Sequence, residues 1–140
     1  MGQVRDIMQK NIITIQEEKT ALDAAKLIAE KDISFLVIIK DEKPIGVVTE
    51  RDFVRKVAAD DKQASQIPLS KIMSYKFRSV EPSTDIEDAV QKMLNLNIRR
   101  LIVIENEKIV GVITQTDLVD YLRSQLLIDG TIKNLESEKN

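Results

Sequence analysis

The sequence predicts a mixed α/β (α+β) fold of two β-α-β-β-α repeats, related by a pseudo-twofold and packed through their sheets. Three observations predict it. Shifting the chain against itself by 65 residues aligns Arg5–Met8 with Ser70–Met73, Asp23-Ala24 with Asp88-Ala89, and Glu42–Val54 with Glu107–Val119 in one ungapped register. Within each copy, short β-branched runs alternate with segments of helical apolar spacing. Finally, one copy of about 60 residues is marginal alone and leaves an apolar sheet face uncovered, which a second copy can bury.

The first repeat spans 1–60. Ile12–Ile15 is β-branched and reads as a strand. Thr20 is placed as an N-cap before Ala21–Lys31, where Ala21, Leu22, Ala25, Ile28 and Ala29 recur at helical spacing. Phe35–Ile39 is continuously apolar, too short for a helix, and reads as a buried strand. Asp41–Lys43 makes a turn into a second hairpin strand, Pro44–Thr49, within which Gly46 marks a bulge or a close backbone approach. Glu50–Ala59 reads as a helix with Phe53, Val54 and Val57 on one side.

A polar linker, 61–68, ends at Pro68. The second repeat, 69–126, follows the same order: a strand at Arg78–Val80, a helix at Asp85–Asn95 led by the cap candidates Ser83 and Thr84, a hairpin of Leu101–Glu105 and Ile109–Thr114, and a helix at Asp117–Leu126. In the tail, 127–140, Gly130 is expected to stop that helix and Ile132–Asn140 is charged. Tyr121–Ile128 carries an apolar surplus suited to packing on a partner copy.

Composition narrows the function. The 140 residues carry a net charge of −2 and a pI near 5.3, against the concentrated basic charge of a duplex nucleic-acid binder. No apolar run approaches the roughly 20 residues that span a bilayer, and the N-terminus lacks a secretory apolar stretch, so a cytoplasmic protein is expected. Cys and His are both absent, which removes thiolate chemistry, the commonest general base and the commonest metal ligands. The chain is expected to have no catalytic residues, no metal and no required cofactor.

One motif carries chemistry by itself: Gly46-Val47-Val48-Thr49-Glu50-Arg51-Asp52, repeated as Gly111-Val112-Ile113-Thr114-Gln115-Thr116-Asp117. Thr49 and Thr114 end strands and are placed to cap the following helices. Asp52 and Asp117 fall in the first turn, where a carboxylate can accept both hydroxyls of a ribose diol beside a helix start that favours anions. The glycines let backbone or ligand come close. Plainer roles stand beside these. The aspartates also suit a helix start through the helix dipole, the threonines also act as simple caps, and Arg51 beside Asp52 makes only a surface pair. Met8 and Met73 read as core filler.

These motifs resemble the CBS domain, usually found as a tandem pair. The resemblance rests on Asp6-Ile7-Met8 and Lys71-Ile72-Met73, on Ile33–Ile38 and Ile98–Val103, and on the duplicated Gly-to-Asp motif, over about residues 3–125. It implies a stand-alone regulatory pair that binds adenosine-containing ligands (AMP, ADP, ATP or S-adenosylmethionine) in clefts between the repeats. It also implies a homodimer that passes occupancy to a regulated partner. By the same resemblance, Thr114 and Asp117 share a cleft with Thr14, Ile15, Ile33, Ser34 and Phe35, while Thr49 and Asp52 share one with Ser79, Val80, Ile98, Arg99 and Arg100. The arginine pair suits phosphate, and Phe35 at the corresponding corner does not; Arg99-Arg100 also reads as a solvated strand start. The alternative reading is a ligand-free dimerisation scaffold, with nucleic-acid binding less favoured.

Overall fold

The computed structural model describes residues 2–128, so the expected stop at Gly130 and the charged stretch Ile132–Asn140 lie outside the described residues. The element order is β1 (Thr14–Gln16), α1 (Ala21–Lys31), β2 (Phe35–Lys40), β3 (Lys43–Thr49), α2 (Glu50–Phe53), β4 (Ser79–Val80), α3 (Ile86–Leu96), β5 (Arg100–Glu105), β6 (Lys108–Thr114) and α4 (Gln115–Ile128). The expected β-α-β-β-α order therefore holds twice. Two three-stranded sheets form, ordered β1-β2-β3 and β4-β5-β6. In each, the first strand runs parallel to the second, and β2 and β3 are antiparallel. No helix among the described residues is long and apolar enough to cross a membrane.

The compact units cut the chain differently from the repeats. One unit is Asn11–Phe77 with the hairpin tip Asn106–Ile109; the other is Met1–Lys10, Arg78–Glu105 and the chain from Val110 onward. Each Ile-Met motif thus belongs to the unit of the opposite repeat. The cores agree: Leu69, Ile72 and Met73 are buried with Leu36, Ile38 and Val48, whereas Val4 is buried with Leu101, Val103 and Ile113.

The backbone bonds that dock these segments are the same in both units. Ala21 N–H donates to the Ile67 carbonyl and Leu69 N–H to the Lys19 carbonyl; in the other unit Ile86 N–H donates to Gly2 and Val4 N–H to Thr84. The open edge of β3 is then paired at Val47, which exchanges two hydrogen bonds of 3.0 and 2.8 Å with Ser74. Val112 in β6 exchanges the same pair with Gln9, at 3.0 and 2.9 Å. Covering an edge in this way removes unpaired backbone groups that would otherwise recruit other chains.

Glycine leaves the close room that this pairing uses. A Cβ on Gly46 would lie 3.0 Å from the Ser74 carbonyl oxygen and 3.0 Å from Met73 Sδ. On Gly111 it would lie 3.1 Å from the Gln9 carbonyl oxygen and 2.6 Å from Met8 Sδ. Both readings of Gly46 hold, because the β2–β3 register also shifts beside it, Ile38 facing Gly46 and Ile39 facing Pro44.

Local signals account for most boundaries. Thr20 caps α1 as expected, accepting from Asp23 N–H, while the Asp23 carboxylate accepts from Thr20 N–H at 3.0 Å. The cap of α3 differs from expectation: Asp85 occupies the position instead of Ser83 or Thr84 and makes no side-chain cap bond. Asp32 and Asn97 close α1 and α3 in the left-handed conformation. Both hairpin turns are two-residue turns with positive φ at both positions, Asp41-Glu42 and Asn106-Glu107. Their glutamates are ion-paired, Glu42 to Lys108 at 2.8 Å and Glu107 to Lys43 at 3.0 Å. The helix expected over Glu50–Ala59 keeps α geometry only to Phe53 and then widens into a π-helical stretch, Val54–Ala58. Val57 is buried and Phe53 packs on the core, but Val54 is 62% exposed rather than sharing their face. Next to Phe53, it sits about 100° around the axis.

Gly46→Ala and Gly111→Ala should each destabilise the protein by about 1–3 kcal/mol through overpacking against the Ser74 or Gln9 carbonyl and the adjoining methionine. Urea midpoints measure this, and unchanged midpoints would contradict the docking geometry. Asp23 supplies a pH signature. Its pKa lies below the ordinary 3.8 because the Thr20 backbone N–H, then the Thr20 hydroxyl, donate to it. Its stabilisation is therefore full above that unfolded value and is lost as pH falls through the lower folded value. Asp23→Asn should flatten the acid limb of the stability profile below about pH 4; an acid limb identical to wild type is the opposing result.

Candidate functional site

In the unit of the first repeat, β3 delivers Thr49 in extended conformation to the start of α2, and a reciprocal capping box fixes Asp52 three residues on. Asp52 Oδ2 accepts from Thr49 N–H at 2.8 Å and from the Thr49 hydroxyl at 3.2 Å, while Asp52 N–H donates to Thr49 Oγ1 at 3.4 Å. The helix-to-strand corner lies alongside. Glu50 N–H donates to the Ser34 carbonyl, and Phe35 faces Thr49 across the β2–β3 ladder. Ile33, held by its N–H to the Ile28 carbonyl, is half-buried. Thr14 and Ile15 lie in β1 opposite Val37 and Ile38, with Ile15 buried in the core.

The other unit repeats this construction. Asp117 Oδ2 accepts from Thr114 N–H at 2.8 Å and from its hydroxyl at 2.9 Å, and Asp117 N–H donates to Thr114 Oγ1 at 3.3 Å. Gln115 N–H donates to the Arg99 carbonyl, and Ile98 N–H to that of Met93. Arg99 is exposed, Arg100 begins β5, and Ser79 and Val80 pair with Ile102 and Val103. The structure thus assembles Thr49, Asp52, Ser34 and Phe35 at one locus, and Thr114, Asp117 and Arg99 at its counterpart.

Three residues at these loci were not singled out from sequence. Lys56 Nζ lies 3.1 Å from Asp52 Oδ1 and also donates to the Ile72 carbonyl at 2.9 Å. It is the cation on Asp52, where sequence adjacency suggested Arg51; the i,i+4 spacing was the available signal. Gln9 Nε2 donates to Asp117 Oδ1 at 3.0 Å, brought there by the pairing of its own backbone with Val112. Nothing short of the docked N-terminal segment could reveal that contact. Lys92 Nζ donates to the Ser79 carbonyl at 2.6 Å, and its repeat-one equivalent is Leu27, so the duplication gave no hint of it.

A groove of about 340 Å³ runs along α3 and α4, lined by Val90, Met93, Leu94, Leu118, Val119 and Leu122 and reaching Ile98, Arg99 and Gln115 at its end. Leu94 and Val119 are 69% and 55% exposed, more than scattered surface apolars need be.

Comparison with known proteins gives a consistent answer. The family model described as CBS domain matches residues 4–59 and 69–124. The chain is 34% identical over 118 residues to an uncharacterized protein, MK0525, of Methanopyrus kandleri, covering 83% of this chain and 60% of that one. It is 29% identical to the CBS domain-containing protein YhcV of Bacillus subtilis, covering 84% of each. The chain therefore spans less than two thirds of the Methanopyrus relative. Among solved structures, the CBS domain NE2398 superposes with a TM-score of 0.78 at 27% identity, over 86% of this chain and 97% of that one. The CBS domain pair of MJ0100, in complex with 5′-methylthioadenosine and S-adenosyl-L-methionine, gives 0.78 at 24% over 89% and 98%. CBSX2 in complex with AMP gives 0.76 at 23% over 89% and 98%. At those last two identities the likeness is one of fold.

The caps are testable without any ligand. Thr114→Ala and Thr49→Ala should each cost about 1 kcal/mol, with the Ser variants near wild type. Denaturation curves in which Ala and Ser variants coincide would show that the hydroxyls do not hold the aspartates.

Proposed function

The chain belongs to the CBS domain family, matched in both repeats, and we propose that it is a non-catalytic regulatory module that binds adenosine-containing ligands and passes their occupancy to a partner. The ligands of the proposal are AMP, ADP, ATP or S-adenosylmethionine. The observation that carries it is the duplicated Thr–Asp arrangement, in which one carboxylate oxygen is fixed by threonine and the other faces exchangeable donors. A ribose diol is such a donor pair. Thr49, Asp52, Thr114 and Asp117 hold the sugar in this reading. Thr14, Ile15, Ile33, Ser34 and Phe35, with Ser79, Val80, Ile98, Arg99 and Arg100, surround the base and phosphate. The ligand complexes of MJ0100 and CBSX2, both adenosine derivatives on the same fold, support it. The protein acts in the cytoplasm as a homodimer, consistent with the exposed Leu94, Val119 and Leu122. Ligand favours one arrangement of the assembly, so the output is a population shift.

A second reading, a ligand-free dimerisation scaffold, is favoured by one fact: both aspartates already have intramolecular partners on each oxygen.

Titration calorimetry with each nucleotide separates the two. The proposal expects saturable heat with at least one of them, weakened about tenfold or more when Asp52 and Asp117 are both changed to Asn, since each loses charge-assisted hydrogen bonds of about 1.5–3 kcal/mol. Absence of heat and of thermal stabilisation at millimolar ligand would leave the scaffold.

A further inference from the structure

The two carboxylates are alike in what holds Oδ2 and unlike in what sits on Oδ1. Oδ2 accepts two hydrogen bonds from its own threonine in each unit, which uses both lone pairs. A ribose diol must therefore be accepted at Oδ1. On Asp117 the occupant of Oδ1 is the neutral amide of Gln9, an exposed residue whose donor returns to water on displacement. Replacing an amide N–H by a hydroxyl O–H exchanges one hydrogen bond for another. On Asp52 the occupant is the Lys56 ammonium at 3.1 Å, held in place by the Ile72 carbonyl as well. The Asp52 side chain is only 17% exposed, so its charge is screened less than at an open surface. A diol that displaces Lys56 replaces an ion pair with a neutral contact and leaves the ammonium without a carboxylate.

We propose that Lys56 is a specificity-determining residue that gives the Asp52 locus a preference for phosphorylated ligands which Gln9, on the same oxygen of Asp117, does not supply at the other locus. A phosphate on the ligand gives the displaced ammonium a new anionic partner, and an unphosphorylated ribose does not. The inference rests on the reading that these carboxylates bind ribose. It adds that the outward carboxylate oxygen is guarded by a charge in one half of the duplicated site and by a neutral amide in the other.

The test compares adenosine with AMP by titration calorimetry in two single-locus chains. In Asp117→Asn, where the Asp52 locus remains, AMP should bind at least about tenfold more tightly than adenosine, and adding Lys56→Met should bring the ratio down by about tenfold. Adding Lys56→Arg should preserve it. In Asp52→Asn, adding Lys56→Met should leave the ratio unchanged. Lys56 is 43% exposed, and Lys56→Gln, judged by the same ratio, substitutes for Met if the latter fails to fold. An unchanged ratio on removing Lys56 from the Asp117→Asn chain overturns the inference while leaving nucleotide binding intact. No heat from wild type with either compound overturns the inference, and the binding reading falls as well only if ADP, ATP and S-adenosylmethionine are also silent.

Discussion

Backbone pairing at the outer edge of each hairpin is the constraint on which the rest depends. Val47 with Ser74, and Val112 with Gln9, close the open side of a three-stranded sheet. Each pairing is possible because the neighbouring residue, Gly46 or Gly111, has no Cβ to meet the incoming carbonyl. Once the segment is docked, its apolar residues have only one place to go: Leu69, Ile72 and Met73 complete one core and Val4 the other. The same docking also brings the Ile72 carbonyl to Lys56 and the Gln9 side chain to Asp117. Packing and site chemistry therefore share a cause.

The site follows from how a strand becomes a helix. A threonine leaving β3 or β6 in extended conformation turns its hydroxyl to the first helical turn, and an aspartate three residues later answers with its carboxylate. That box orients the carboxylate without any ligand and leaves one oxygen outward. Preorganisation of this kind lowers the entropy lost on binding. It also explains how two halves with the same box can differ in chemistry: the occupant of the outward oxygen comes from outside the box, a lysine one turn further on in one unit and a glutamine from a distant segment in the other.

Much of the fold was legible because the signals were local and appeared twice. The apolar spacing of Ala21–Lys31 gave α1 its bounds, Asp41 and Glu42 fell at a turn, Thr20 and Thr49 took the capping roles expected of them, and Asp52 stood in the first helical turn, where its part in a capping box was not foreseen. What escaped the sequence was non-local or departed from the regular period. Val54, one residue past Phe53 and about 100° around the axis, faces outward, and no composition signal marks the π turn that begins there. Asp85, aligned with Thr20 in the repeat, took the cap position expected of Ser83 or Thr84. The assignment of each Ile-Met motif to the opposite repeat's unit depends on non-local contacts, and so do the roles of Gln9, 108 residues from Asp117, and of Ile72, 16 residues from Lys56.

The central claim is that these prearranged carboxylates are ligand acceptors and that the docked segments answer to their occupancy. Backbone amide NMR during addition of AMP addresses it most directly. The account predicts that the resonances of Thr49, Asp52, Thr114 and Asp117 shift with saturation, and that those of Gln9 and the residues beside Ile72 follow with the same midpoint. Shifts confined to other surfaces, with these amides unmoved at saturating AMP, would contradict it.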